Sequence, residues 1–344
     1  MNTVRVPLLE VNQLLFGYHQ PLASPLSAKL YAGQLVAVLG LNGTGKSTLL
    51  SVLSGGVAPL AGSILAQGRS VPTLSPRQRA NTVAFLPATL PAIPGLSVEE
   101  FVQFGLFPKS GWLARYTPQQ RCSVVDAIRI VGLQELATRQ IASLSDGERQ
   151  RASIALALAQ GAPITLLDEP TAHLDIAAKA EIMVLLRRVA HARRNLVILA
   201  THDLGIAMEY ADLLWVFTGE GVELHTPEDA ALTGVLARVF DTRTTRFDPL
   251  RLSFTLPVDP GGNPKCAFQL YSPGLTLAEA CTRHALLRYG WREVNNDCLP
   301  ALRVEIVHTQ GIYRWNVNGK PCQTIAQLLQ LAEGVGNPVG QPPQ

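Results

Sequence analysis

Gly40-Leu41-Asn42-Gly43-Thr44-Gly45-Lys46-Ser47-Thr48 fits G-x-x-x-x-G-K-[ST], and its flanks decide the fold. Upstream, Gln34-Leu35-Val36-Ala37-Val38-Leu39 is a short, uncharged, β-rich run. Downstream, residues 47–53 place apolar side chains at helical spacing. A strand enters the loop and a helix leaves it. Glycines let the backbone bend so that successive N–H groups point inward, and the helix N-terminus adds roughly half a positive charge. Such a loop cradles phosphates. Lys46 is placed to reach the β- and γ-phosphates, and Ser47 to offer its hydroxyl to Mg²⁺. The plain alternative, a glycine-rich turn before a helix, is disfavoured by the complete motif in this context.

Three later stretches carry related chemistry. In Ala142-Ser143-Leu144-Ser145-Asp146-Gly147-Glu148-Arg149-Gln150, Ser145 and Glu148 form a capping box before a long Ala/Leu helix. Read alone it is a well-capped helix; beside a phosphate loop, Ser145 and the N–H groups near Gly147 form a second anion-gripping helix end. Ile164-Thr165-Leu166-Leu167-Asp168-Glu169-Pro170 is an apolar strand ending in two carboxylates. Phosphate-loop proteins hold Mg²⁺ with a carboxylate at such a strand end. Strand alternation sends neighbours to opposite sides, so Asp168 is expected to face the metal and Glu169 to point elsewhere, toward an attacking water. Ala172-His173-Leu174-Asp175 then precedes an amphipathic helix over residues 176–192, and the strand over residues 195–200 ends in Thr201-His202-Asp203. A lone histidine is usually structural, but His202 sits where two other phosphate motifs end, on the phosphate side of a parallel sheet.

Length and composition bound the reading. The 344 residues suffice for two domains, and 47% hydrophobic against 16% charged residues excludes global disorder. Mean hydropathy is +0.17, yet the most apolar stretches are broken. Residues 47–68 contain Gly55, Gly56, Pro59 and Gly62; residues 80–98 contain Pro87, Pro91 and Pro94; residues 152–167 contain Gly161 and Pro163. None offers the roughly 20 apolar residues of a membrane span. The first residues show no apolar leader, so a cytosolic or peripheral protein is expected. A net charge of +3 is too small to argue for nucleic acid. The 5 cysteines, Cys122, Cys266, Cys281, Cys298 and Cys322, form no C-x-x-C and read as small hydrophobes in a reducing compartment.

The rest of the chain fills in around these motifs. Residues 8–39 read as an opening antiparallel β-layer, with Phe16 or Tyr18 available to stack on a base. Residues 59–68 form a hairpin-like segment, residues 75–79 a basic turn or helix, and residues 81–86 a strand stopped by Pro87. Ser97 and Glu100 make a capping box. Residues 97–141 are mostly helical, interrupted over residues 108–117 around Trp112 and Tyr116. The strand over residues 213–217 is expected to be the last of the core. Residues 227–233 start a short helix, residues 236–257 are mixed β and turn, and residues 259–264 read as a linker. Beyond it the order β-α-β-β-α predicts a small α+β domain, and residues 336–344 a disordered tail.

Together the glycine loop, LSDGERQ, LLDEP, AHLD and TH resemble the ATP-binding subunits of ABC transporters, over residues 8–217. SLSDGERQR with EPTAHLD is similar to the branch serving importers of iron chelates, haem and cobalamin. The resemblance implies an α/β phosphate-loop NTPase core with an antiparallel β subdomain and a helical insertion at about 88–158, all within residues 1–225. An extension over 226–258 and the accessory α+β domain over 259–335 follow. It implies ATP and Mg²⁺ as ligands. Tyr18 would stack on adenine, and Gly40, Asn42, Gly43, Thr44, Gly45, Lys46, Ser47 and Thr48 would hold the phosphates. Ser47 and Asp168 would hold Mg²⁺, Glu169 would act as general base, and His202 would contact the γ-phosphate. Ser145 and Gly147 would face the γ-phosphate bound to a second copy in a head-to-tail dimer, and Asp175 would link the two sites. The implied partners are that copy, transmembrane permease subunits and, indirectly, an extracytoplasmic substrate-binding protein. The implied place is peripheral, on the cytoplasmic face of the plasma membrane.

The sequence departs from the family pattern twice. Asp146 and Glu148 replace a Gly and the Gln of the usual LSGGQ, and Ala88 stands where a Gln usually follows the strand ending in Pro87. That Gln touches Mg²⁺ and the attacking water; Ala88 does neither. Either a water or a neighbouring side chain substitutes for it, or hydrolysis is slowed or coupled differently. This leaves two alternatives beside an importer subunit: a soluble ABC ATPase, and a regulatory subunit with weakened turnover.

Overall fold

The computed structural model describes residues 6–90, 95–109, 116–242, 246–248, 253–255, 267–272, 276–289, 291–294, 300–309 and 312–335. Two units divide the chain: Met1–Asp241 with Phe247–Ser253, and Thr242–Arg246 with Phe254–Gln344.

In the first unit the order begins β1 (Leu9–Leu15), β2 (Leu26–Leu30), β3 (Leu35–Leu39), α1 (Lys46–Leu53), β4 (Ala61–Ala66), β5 (Arg69–Ser70), α2 (Pro76–Thr82) and β6 (Val83–Leu86). The helical insertion holds α3 (Val98–Gln103), α4 (Pro118–Ile130) and α5 (Asp146–Ala159). Then come β7 (Ile164–Asp168), α6 (Ile176–Arg193), β8 (Leu196–Ala200), α7 (Leu204–Tyr210), β9 (Leu213–Phe217), β10 (Val222–His225), α8 (Pro227–Leu232) and α9 (Val235–Phe240). A four-stranded antiparallel sheet runs β2-β1-β4-β5, and a six-stranded sheet runs β10-β9-β3-β8-β7-β6. The latter is parallel from β9 to β6.

The central sheet is covered on both faces, which is why β3, β7 and β8 are continuous buried runs without alternation. Leu35, Ala37 and Leu39 of β3 pack into the helical side, while Val36 and Val38 pack with α1 and the antiparallel layer. This corrects the expected opening layer over residues 8–39. Only β1 and β2 belong to it, and β3 crosses to the middle of the other sheet because both its faces are apolar. A further correction is β10, which pairs antiparallel with β9 and extends the sheet past the expected last strand. All four of its residues are half-buried; Val222 and Leu224 pack against the antiparallel-side core and alternate with Glu223 and His225, a run too short to stand out beside the continuous apolar strands.

Capping boxes start α3 at Ser97/Glu100, α4 at Thr117/Gln120 and α5 at Ser145/Glu148. Two of these were legible in advance. Tyr116 packs, half-buried, against the helical-side core, whereas Trp112 lies outside the described residues. The first unit also runs past residue 225, because Ala230, Val235, Leu236 and Phe247 join its core. Residues 236–240, expected within a mixed β and turn stretch, lie in the helix α9: Gly234 in the left-handed region starts it and burial of Val235 and Leu236 holds it, overriding local propensity.

Short strands β11 (Arg246–Asp248) and β12 (Ser253–Thr255) precede the second unit's main elements. These are β13 (Ala267–Tyr271), α10 (Thr276–Arg288), β14 (Arg292–Glu293), β15 (Leu302–Thr309), β16 (Ile312–Val317), β17 (Lys320–Cys322) and α11 (Ile325–Glu333). The sheet order is β14-β13-β15-β16-β17. The expected β-α-β-β-α is present with two short edge strands added. Phe268, Leu286, Trp291, Leu302 and Leu328 share its core, and Trp315 Nε1 donates to Thr282 Oγ1 at 2.7 Å inside it. Burial pushes the Cys322 thiol up, and Cys122 and Cys281 are exposed. Cys266, Cys298, the linker over 259–264 and the tail over 336–344 lie outside the described residues. Among the described residues no helix is long and apolar enough to cross a membrane.

Candidate functional site

Three neighbouring strands of the central sheet, β3, β8 and β7, deliver their C-terminal ends side by side. The turns beyond them are locked by backbone bonds: Thr201 N–H donates to Val38 O at 3.1 Å, and Glu169 N–H to Ala200 O at 3.0 Å. Ligands of open α/β sheets bind at this edge.

At the end of β3 the loop over Gly40 to Thr48 turns into α1. Gly45 caps the helix in the left-handed region, φ 105°, and supplies no side-chain bond, so the first N–H groups of α1 stay available. A Cβ at Gly40 would meet Phe217 Cβ at 2.7 Å, so the loop needs glycine there for space. Lys46 Nζ donates to Gly40 O at 2.9 Å and Leu41 O at 3.0 Å, and Thr44 Oγ1 donates to Leu41 O at 2.9 Å. Lys46 is buried, and burial pulls its ammonium pKa below the ordinary lysine value, with Glu169 and Asp168 partly opposing that. Leu41, Asn42, Gly43 and Ser47 are exposed.

Both carboxylates at the end of β7 thus act on Lys46. Asp168 is 8% exposed, and its Oδ1 is buried with no hydrogen-bond partner. Glu169 lies beyond the last residue of the strand, at φ 49°, a conformation uncommon for a residue with a Cβ. Strand alternation does not reach Glu169, so the left-handed turn rather than the pleat aims its side chain. His202 Nδ1 lies 2.9 Å from Glu169 Oε2, with the ring 56% exposed. That contact was not legible in the sequence, because the two residues stand on different strand ends.

Ser145, Gly147 and Asp175 line a separate cavity of about 400 Å³ with Asp146 and His173. Asp175 caps α6, its Oδ1 accepting from Ala178 N–H at 2.7 Å. At the start of α5 the Glu148 carboxylate accepts from Ser145 N–H at 2.8 Å, and Ser145 Oγ accepts from Glu148 N–H at 3.3 Å. The Ser145 N–H, with the hydroxyl adding to it, holds the Glu148 carboxyl below the usual carboxylate range. Asp146 pairs with Arg149 at 3.0 Å. Ala88 lines a second cavity, of about 540 Å³, together with Glu169, Asp146 and Gln150.

The two candidate aromatics separate cleanly. Phe16 is fully buried, edge-on to Phe217 with ring centroids 5.9 Å apart, whereas Tyr18 is 67% exposed.

The ABC transporter family matches residues 23–172. The chain is 33% identical to the iron(3+)-hydroxamate import ATP-binding protein of Bacillus subtilis over 264 residues, 72% of this chain and 95% of that protein. It is 36% identical to the achromobactin transport ATP-binding protein of Dickeya dadantii over 201 residues, 58% of this chain and 75% of that one. An ABC transporter solved in an inward-facing conformation aligns with a TM-score of 0.60 at 28% identity, covering 68% of this chain and 88% of its own. With the phosphate loop, the paired carboxylates and the capped helix in place on that cassette fold, the chain belongs to the ATP-binding subunits of ABC transporters, an ATPase family.

Proposed function

We propose that this chain hydrolyses ATP to drive import of an iron chelate, haem or cobalamin through permease subunits that are separate chains. It would work on the cytoplasmic face of the plasma membrane, with an extracytoplasmic binding protein delivering the cargo to the permease. Supporting this are the named functions of the two relatives and the lack of a membrane-spanning helix among the described residues.

The observation that carries the ATPase roles is the cluster of Asp168, Glu169 and His202 at the ends of β7 and β8 with Lys46 at the start of α1. Gly40, Asn42, Gly43, Thr44, Gly45 and Thr48 would wrap the triphosphate with backbone and hydroxyl donors, and Lys46 would bridge the β- and γ-phosphates. The unpartnered Asp168 Oδ1 and the exposed Ser47 hydroxyl are oxygen donors of the kind a hard cation takes. They would hold Mg²⁺, which when bound neutralises charge on those phosphates. Glu169 would take the proton of the attacking water, while His202 steadies that carboxylate and touches the γ-phosphate. Tyr18 would stack on adenine. Ser145 and Gly147 would meet the γ-phosphate held by a second copy in a head-to-tail dimer, with Asp175 between the two sites. ATP then joins the copies and hydrolysis releases them, a difference a permease can use.

The test is to purify the tagged chain from membranes with a polytopic permease and to measure ATP-driven iron-chelate uptake in vesicles carrying the pair. Lys46→Ala should abolish uptake. A chain found only in the soluble fraction, with full ATPase activity, would overturn the importer reading.

A further inference from the structure

One ion pair near the site has no part in the reading above. Lys179 Nζ lies 3.0 Å from Asp203 Oδ2, and the two side chains are only 21% and 27% exposed. Asp203 follows His202 directly and uses every polar group it has. Its Oδ1 accepts from Ile206 N–H at 3.3 Å to cap α7, and its own N–H donates to Thr201 Oγ1 at 3.1 Å. Thr201 is fully buried and is bonded to the end of β3 through Val38 O. Lys179 stands one turn into α6, its N–H donating to the carbonyl of Asp175 at 2.9 Å. The first turn of α6 therefore carries Asp175 at its cap and a lysine that reaches across to the turn bearing His202.

We infer that Lys179, through Asp203, is a positioning residue for ATP hydrolysis: it braces the His202 turn so that the ring stays against Glu169, and it makes that turn move with the Asp175 end of α6. The inference rests on the roles proposed for Glu169 and His202. The His202 ring is more than half exposed, and its recorded side-chain partner is Glu169. Packing alone does not fix such a ring, so its place depends on the backbone that carries it. Asp203 is the adjacent fixed point. Losing Lys179 leaves a mostly buried carboxylate without its counter-charge, which favours rearrangement of the turn toward solvent. Among the described residues the hydrogen bonds and ion pair of Lys179 and Asp203 go to each other, Thr201, Ile206, Ala207 and Asp175 rather than to the phosphate loop, so ATP binding is expected to be spared while turnover suffers. A small misplacement of a group beside the attacking water is costly in rate.

The experiment measures kcat and KM for ATP in the full chain, well below each variant's Tm. Lys179→Met should lower kcat about 10-fold and leave KM within about twofold. Lys179→Arg should restore most of kcat, because the contact is a single charge rather than a fork. Asp203→Asn keeps an oxygen to cap α7 and loses the charge, so it should also lower kcat, and it carries the test if Lys179→Met does not fold. The double variant should be no slower than the slower single one, since the pair acts as a unit. Parental kcat in Lys179→Met or Asp203→Asn, or losses that multiply in the double variant, would overturn the inference. If instead Glu169→Gln and His202→Ala keep parental turnover, the roles assigned to those two residues fail first, and the ion pair is then a strut of the fold.

Discussion

The strand-end group around Lys46 and the helix-end group around Ser145 are built by different means. At the strand ends, backbone hydrogen bonds between β3, β8 and β7 fix where the side chains leave the sheet. Opposite charges then collect there: a buried ammonium, two carboxylates and an imidazole. At the start of α5 nothing of the sheet takes part. One capping box sets the geometry, and it places the helix's own carboxylate, Glu148, on the Ser145 N–H. The first group is a charged cluster with an unpartnered carboxylate oxygen. The second is a helix end whose positive pole already meets an anion carried by the chain. Chemistry is therefore expected to be set by the first group and modulated by the second.

The sharpest way to break that division is Glu169→Gln. It keeps the shape of the side chain and removes the proposed base. Turnover should fall by about 10³-fold, the worth of a well-placed general base, while ATP binding by the isolated chain stays near parental. Equal loss from Ser145→Ala would mean that the helix end contributes as much as the strand ends, and the comparison would collapse.

Ala88→Gln probes the gap between the groups. Residue 88 lines the cavity that also reaches Glu169 and Asp146, and about 540 Å³ leaves room for the longer side chain. An amide there would be placed to contact the attacking water and the metal. ATPase activity should rise, by up to about 10²-fold. Unchanged or reduced turnover in the variant counts against a missing contact at this position.

How far the sequence anticipated these features follows from which interactions are local. The strand–loop–helix around Lys46 is contiguous, so its residue types announce it. The capping boxes at Ser97 and Ser145 span only a few residues and were equally plain. What crossed strand ends was hidden. The Glu169–His202 contact joins residues 33 apart and depends on a left-handed turn that the residue type does not advertise. The move of β3 into the second sheet was masked because a short apolar run reads alike in either sheet. β10 and α9 were missed because one is half-buried throughout and the other is held by tertiary burial rather than propensity. The branch resemblance, by contrast, rested on whole motifs and agreed with the relatives found.

The smallest expected effect is the most specific to the helix end. Glu148→Gln keeps an oxygen for the Ser145 N–H and removes one negative charge from the start of α5. If that end faces the γ-phosphate of a second copy, the KM for ATP should fall by about 2- to 5-fold, the worth of one charge at a helix terminus. The same substitution has a signature in stability. The folded carboxyl is held below its ordinary value, so its contribution is present above the unfolded pKa of about 4.3 and is lost as pH falls through the folded value. The parent should therefore melt slightly higher than Glu148→Gln near neutral pH, and the two melting temperatures should converge on acidification. A variant that loses stability at neutral pH yet binds ATP more weakly would show that the carboxylate serves the nucleotide directly. The helix end would then belong with the strand ends rather than beside them.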